Sequence, residues 1–179
     1  VYSRYASAIS VLCEPDYFGG DYDHLATVAA TTHLPVLCKD FIIDEVQIYA
    51  ARYFGADAIL LMLSVLSDDE YAHLAAVAAS LHMDVLTEVI DEEEAERAVK
   101  LGAKIFGVNH RNLHDLSIDL DRSARLAALE PASALVLVTH DPDVLAGAAT
   151  VGGAPRRGSA ARSTVWSTKR RSRSPHGCT

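Results

Sequence analysis

Three polar residues stand at equivalent places in this chain, each at the end of a short apolar run. Lys39 follows Val36-Leu37-Cys38, Glu88 follows Val85-Leu86-Thr87, and Asn109 follows Phe106-Gly107-Val108, with Arg111 two residues further on. A lysine and a glutamate brought together can serve as general acid and general base. Asn and Arg supply hydrogen-bond donors to substrate hydroxyls, to a carboxylate or to charge that develops during a reaction. Taken singly, each is an ordinary polar residue where a strand surfaces. Repeated in register on three runs, they point to one shared mouth. The pattern by itself reaches an acid, a base and an anion site, and names no reaction.

Other candidate constellations are weaker. His110 and His114 are four apart, but no Glu accompanies His110 as in the zinc-peptidase motif, and both fall in a loop. Cys13, Cys38 and Cys178 have no metal-ligand spacing, so no metal is expected. Cys13 and Cys38 read as inert core thiols on adjacent strands. The acidic run 91–94 reads as a helix start, and the set Tyr49, Tyr53 and Phe54 as helix packing.

The elements that would position the polar residues repeat. Apolar runs at Ala8–Leu12, Pro35–Cys38, Ala58–Leu63, Asp84–Thr87, Lys104–Val108 and Ala134–Val138 start 20 to 30 residues apart. Most are continuous, as in parallel strands buried on both faces. Helical signals lie between them. Ser67-Asp68-Asp69-Glu70 has the form of a capping box, with Leu74, Val77, Ala78 and Leu81 on one face. Asp91-Glu92-Glu93-Glu94 places carboxylates at the positive end of a helix. Gly102 closes that helix, and Gly55 closes the one from Asp44 to Phe54.

Repeated βα units build either an open doubly wound sheet or a closed barrel. No glycine-rich turn follows the first strand, as a dinucleotide-binding sheet would require. The expectation is α/β; six runs against the eight of a closed barrel mean either that the barrel is the wrong architecture or that the chain is short at its ends.

Composition limits the partners. Half of the 179 residues are apolar, and no apolar run reaches the roughly 18–20 residues that span a bilayer. No signal-peptide pattern opens the chain, and an odd number of cysteines fits a reducing cytoplasm. The net charge of −8 divides sharply. Residues 1–154 hold all 24 acidic and nine basic residues, a balance of −15, whereas residues 155–179 carry seven basic residues and no acidic one. An acidic body is a poor nucleic-acid ligand. The Arg/Ser tail with Trp166 offers phosphate contacts, but the body repels the same partner, so nucleic acid is not the expected partner. Residues 1–140 read as the partial barrel domain. Residues 141–179, rich in Gly, Ala, Ser and Arg and without periodicity, read as a disordered basic tail.

At Lys39 and its neighbours the sequence resembles a known family. Ala8-Ile9-Ser10-Val11-Leu12-Cys13-Glu14, followed by Tyr17-Phe18-Gly19-Gly20, is similar to the second strand and loop of indole-3-glycerol phosphate synthases. Pro35 to Asp44, with Lys39-Asp40-Phe41, resembles their third strand and its most recognisable motif. Ala56–Leu61 resembles the fourth, Leu86-Thr87-Glu88-Val89 the fifth, and Gly107-Val108-Asn109-His110-Arg111-Asn112-Leu113 the sixth. The likeness runs in order from about Tyr2 to about Ala128, and it implies a partial (β/α)8 barrel comprising about strands 2–7. It is similar to the bacterial form often fused to phosphoribosylanthranilate isomerase.

The resemblance implies a lyase of tryptophan biosynthesis. It would close the indole ring of 1-(2-carboxyphenylamino)-1-deoxyribulose 5-phosphate, releasing carbon dioxide and water without cofactor or metal. Lys39 matches the general acid, Glu88 the base, and Asn109 with Arg111 the pair that orients the substrate. Ser10, Phe18 and Phe41 match the pocket for the anthranilate ring. The Lys-Asp-Phe and Thr-Glu-Val segments argue against another phosphate-handling barrel enzyme of tryptophan or histidine synthesis.

The chain also departs from the family. Its first strand, with a Glu and a second catalytic Lys, is missing. So are the Glu-Ser-Gly of strand seven and the phosphate-binding Gly-Ser of strand eight. Cys13 stands where Thr is common and Asn112 where Asp is usual. The chain is thus expected to be incomplete at both ends, a marginal folder and a weak or inactive catalyst. From about Thr139 it reads as the right gene in the wrong frame.

Overall fold

The computed structural model of the chain describes residues 6, 8–109, 125, 134–138 and 164–166. Strands and helices alternate: β1 Ile9–Leu12, α1 Tyr22–Thr31, β2 Val36–Lys39, α2 Glu45–Tyr53, β3 Ala58–Met62, α3 Asp68–Ser80, β4 Asp84–Val89, α4 Glu92–Lys100 and β5 Ile105–Asn109. Two further strands, β6 Ala134–Val138 and β7 Thr164–Trp166, complete the described sheet. All six apolar runs singled out in the sequence form strands, within a residue or two of the expected ends.

Every strand pair is parallel, and the order across the sheet is the order along the chain, β1-β2-β3-β4-β5-β6-β7. A doubly wound sheet reverses direction at a switch point and carries helices on both faces. Here there is no reversal, so right-handed crossovers keep the helices on one side. The architecture is a curled wall of a (β/α)8 barrel.

The two faces of this wall have separate cores. Outward-facing Val11, Val36, Cys38, Ile59, Leu61, Val89 and Val108 pack under Leu25 of α1, Ile48 of α2, Leu74 of α3 and Ala98 of α4. The alternate residues Leu37, Leu60, Met62 and Leu86 form a smaller inner cluster with Phe41, Ala58 and Ile105. The period of two places Lys39, Glu88 and Asn109 on that inner face too. Burial on both faces explains the continuous apolar runs.

Helix ends follow the local chemistry expected of them. Ser67 accepts from the Glu70 N–H while the Glu70 carboxylate accepts from the Ser67 N–H, a complete capping box; Asp44 and Gln47 make another on α2. Asp91 caps α4 by accepting from the Glu94 N–H. Gly55 and Gly102 adopt φ of 94° and 77° just past α2 and α4, and His82 takes the same left-handed turn after α3. Arg97 of α4 donates to Leu63 O and Leu66 O at 3.1 and 3.0 Å, and its guanidinium contacts Asp68 at 2.8 Å, tying down the loop after β3.

Of the stretch read as a disordered tail, three residues are described, Thr164–Trp166, which pair with Val136–Val138. Thr, Val and Trp are strand formers, but three residues are too few to show a period in sequence. The rest of that stretch lies outside the described residues, as do Arg111, Asn112, His110 and His114. No helix among the described residues is long and apolar enough to cross a membrane.

Candidate functional site

Lys39 and Asn109 are the last residues of β2 and β5, and Glu88 is the penultimate residue of β4. Their inward side chains meet at the C-terminal end of the wall. Lys39 Nζ lies 3.7 Å from Glu88 Oε2, and Asn109 Nδ2 donates to Glu88 Oε1 at 3.1 Å. The Glu88 side chain is only 2% exposed, that of Lys39 25%. Glu88 Oε2 accepts no hydrogen bond among the described residues, so the ammonium is its main compensation. Gly107 pairs with Glu88 in the β4–β5 ladder; a Cβ there would meet Leu86 Cδ1 at 3.3 Å, so a side chain at this position would crowd the inner cluster beneath the pocket.

Above this trio opens a pocket. Its polar lining is Glu14, Lys39, Asp40, Glu88 and Asn109; Leu12, Phe18, Phe41, Leu60 and Met62 supply the apolar wall. Phe18 and Phe41 face each other with ring centroids 6.0 Å apart and planes tilted by 52°, a favourable aromatic arrangement. The lining is chemically suited to a ligand with a flat apolar part and a polar end.

The structure therefore brings together Lys39, Glu88, Asn109, Phe18 and Phe41. Ser10 is not among the lining residues. The β1–β2 register pairs Leu12 with Lys39 and Ser10 with Leu37, which sets Ser10 one inward step below the pocket floor. Its hydroxyl is buried and has no hydrogen-bond partner among the described residues. Arg111 lies outside the described residues.

Two lining carboxylates were not assigned a role from sequence, and both are held by donors of the surrounding loops. Asp40 accepts from Tyr22 Oη at 2.9 Å and from the Phe41 N–H at 2.9 Å. Gln47 joins them by donating to Phe41 O at 2.9 Å. The Asp of Lys-Asp-Phe thus fixes the backbone between Lys39 and Phe41 and aims both into the pocket. Burial pushes the Tyr22 phenol well up, aided by Cys38 and by the bond to Asp40, so it stays a donor.

The second carboxylate, Glu14, accepts from the Asp16, Tyr17 and Phe18 N–H groups at 2.9, 2.8 and 3.0 Å. A Glu-Pro pair ahead of two glycines was the available signal for a closed loop. Behind the site, Cys13 and Cys38 are buried free thiols; their mutual hydrogen bond and burial push Cys38 up, consistent with an inert core pair. Among the described residues no group of three His, Cys, Asp or Glu side chains could hold a metal.

Comparison with known proteins bears on this geometry. The family described as Indole-3-glycerol phosphate synthase matches residues 1–141. A Corynebacterium glutamicum protein described as Tryptophan biosynthesis protein TrpCF is 81% identical over 137 residues, which are 76% of this chain and 29% of the relative. A Salmonella typhi protein of the same description is 59% identical over 127 residues, 71% of this chain and 28% of the relative. The chain spans less than a third of the length of these curated relatives. Among solved structures, one described as native KDPGal superposes with a TM-score of 0.60 at 15% identity, covering 83% of this chain and 67% of its own. The 3-keto-L-gulonate-6-phosphate decarboxylase of Vibrio cholerae superposes with a TM-score of 0.53 at 16% identity, covering 73% and 66%. These structural likenesses speak to the fold.

Proposed function

Because the chain belongs to the indole-3-glycerol phosphate synthase family, we propose that its pocket is the central part of that enzyme's active site, in a parent protein of tryptophan biosynthesis. The observation that carries the reading is the convergence of Lys39, Glu88 and Asn109 beneath a paired aromatic wall. The substrate is 1-(2-carboxyphenylamino)-1-deoxyribulose 5-phosphate. Its ring lies against Phe18 and Phe41, and its ribulose carbons reach over Lys39.

Lys39 acts as general acid. Its ammonium donates to the C2′ carbonyl oxygen as the ring carbon bearing the carboxylate attacks C2′; carbon dioxide then departs and restores the aromatic ring. In the dehydration Glu88 is the base that takes the C1′ proton, while Lys39, reprotonated from solvent, protonates the C2′ hydroxyl so that it leaves as water. Asn109 holds the Glu88 carboxylate by the hydrogen bond to Oε1, and Arg111 orients the substrate. Ser10 lies one step deeper, behind the floor of the pocket that takes the ring. The reaction is a carbon–carbon lyase reaction that runs on side chains alone, in the cytoplasm. The parent protein carries a phosphoribosylanthranilate isomerase domain, in keeping with the longer relatives of which this chain spans 29% and 28%.

The test is a graft. Residues 1–138 replace the corresponding stretch of the Corynebacterium relative, and indole-3-glycerol phosphate is followed by indole fluorescence. The graft should be active, and Lys39→Ala or Glu88→Gln should each reduce kcat about a hundredfold or more. A Lys39→Ala graft within a few-fold of its parent would remove Lys39 from the mechanism and sink the reading. From about Thr139 onward the sequence is read as frame-shifted, in keeping with a family match that ends at 141. Coding DNA with no Glu-Ser-Gly in either alternative frame would overturn that.

A further inference from the structure

Between β1 and α1 the chain makes a tight loop that carries Phe18 to the pocket. The backbone closes on itself: Gly19 N–H donates to Pro15 O at 3.1 Å, Gly20 N–H to Glu14 O at 2.7 Å, and Asp21 N–H to Leu12 O at 3.3 Å. A Cβ on Gly20 would fall 2.6 Å from Leu12 backbone atoms, so the loop returns directly onto the strand it leaves. At its centre sits the buried Glu14 side chain, 7% exposed, whose two oxygens take the N–H groups of three successive residues.

A carboxylate lining a pocket for an anionic substrate is a liability unless its charge is already taken up. Three backbone N–H donors take it up here, in charge-assisted hydrogen bonds. Burial alone would raise the Glu14 carboxyl, and the three donors bring it below its ordinary value. The last of the three is the Phe18 N–H itself, so the clamp fixes the residue whose ring faces Phe41.

We propose that Glu14 is a positioning residue: by clamping the Asp16–Phe18 backbone it holds the Phe18 ring over the pocket and sets affinity for the aromatic end of the substrate. This rests on the proposed function, which supplies the aromatic carboxylate. Glu14 itself does not touch the ligand.

The experiment uses the whole 179-residue chain and 2-aminobenzoate, the bare aromatic end of the substrate, with its own fluorescence as the readout. Glu14→Gln removes the charge, and Phe18→Leu removes the ring. Each should weaken binding about tenfold, the scale of one lost aromatic contact. Adding Glu14→Gln to Phe18→Leu should weaken binding less than about twofold further, because the clamp then has no ring to place.

Glu14→Asp serves if the glutamine variant does not fold. Its shorter carboxylate reaches the Asp16 N–H but not the Phe18 N–H, and it should show a smaller loss with the same non-additivity. Full additivity, or binding within twofold of the parent in folded Glu14→Gln, overturns the positioning role. A parent chain that takes up no 2-aminobenzoate overturns the aromatic-pocket reading and the proposal with it. Uptake that Phe18→Leu leaves unchanged overturns only the proposal.

Discussion

Replacing Lys39 with methionine and Glu88 with glutamine should affect stability very differently, although each removes half of the same ion pair. Across 3.7 Å, at an effective dielectric constant of about 20, the attraction between the two charges is about 4.5 kcal/mol. Against it stands the cost of taking the Glu88 carboxylate out of water, several kcal/mol for a group only 2% exposed. The two nearly cancel, so the pair as a whole contributes little net stability.

Its halves are not equivalent. With Glu88→Gln, Lys39 is a quarter exposed and turns its ammonium to solvent, while Asn109 keeps a carbonyl acceptor. The change should lie within about 1 kcal/mol of zero. With Lys39→Met, a buried carboxylate is left holding only the Asn109 bond, and the loss should be about 3–5 kcal/mol. The double variant should return close to Glu88→Gln. Urea titrations followed by far-UV circular dichroism would measure this, in a fixed concentration of trimethylamine N-oxide to keep the weaker variants folded. Equal losses in the two single variants, or a Lys39→Met loss under about 1 kcal/mol, would refute the claim that the ammonium offsets the burial of the Glu88 carboxylate.

Two further outcomes follow from buried polar contacts. Tyr71 Oη and Thr87 Oγ1 share a hydrogen bond of 2.7 Å under α3, so Tyr71→Phe or Thr87→Val should each cost about 1–3 kcal/mol by stranding its partner. The double variant should cost clearly less than the sum, and strict additivity in urea titrations would mean the bond does not hold α3 to β4. The Glu14 carboxyl lies below its ordinary value of 4.5 in the folded chain, so its stabilisation is complete above that value and is lost as pH falls through the folded one. The stability gap between parent and Glu14→Gln should therefore be constant down to about pH 5 and narrow towards about pH 3; a gap that widens on acidification would contradict the clamp.

Much of this molecule is legible in one dimension because its determinants are local. A strand buried on both faces must be an apolar run, a helix start must satisfy its own N–H groups, and Ser67, Asp44 and Asp91 do so with side chains three residues or fewer away. Lys39, Glu88 and Asn109 each interrupt such a run at its end, which marks them as a set. Their number along the chain could not say how close they come, because proximity depends on the stagger between strands. That stagger brings Glu88 within 3.7 Å of Lys39 across an intervening strand and leaves Ser10 one layer beneath the pocket. The roles of Asp40 and Glu14 were likewise hidden: each looks like a ligand-facing acid at the mouth of a site. Only the folded loops show what has already claimed them: three backbone N–H groups hold Glu14, and the Tyr22 hydroxyl together with the Phe41 N–H holds Asp40.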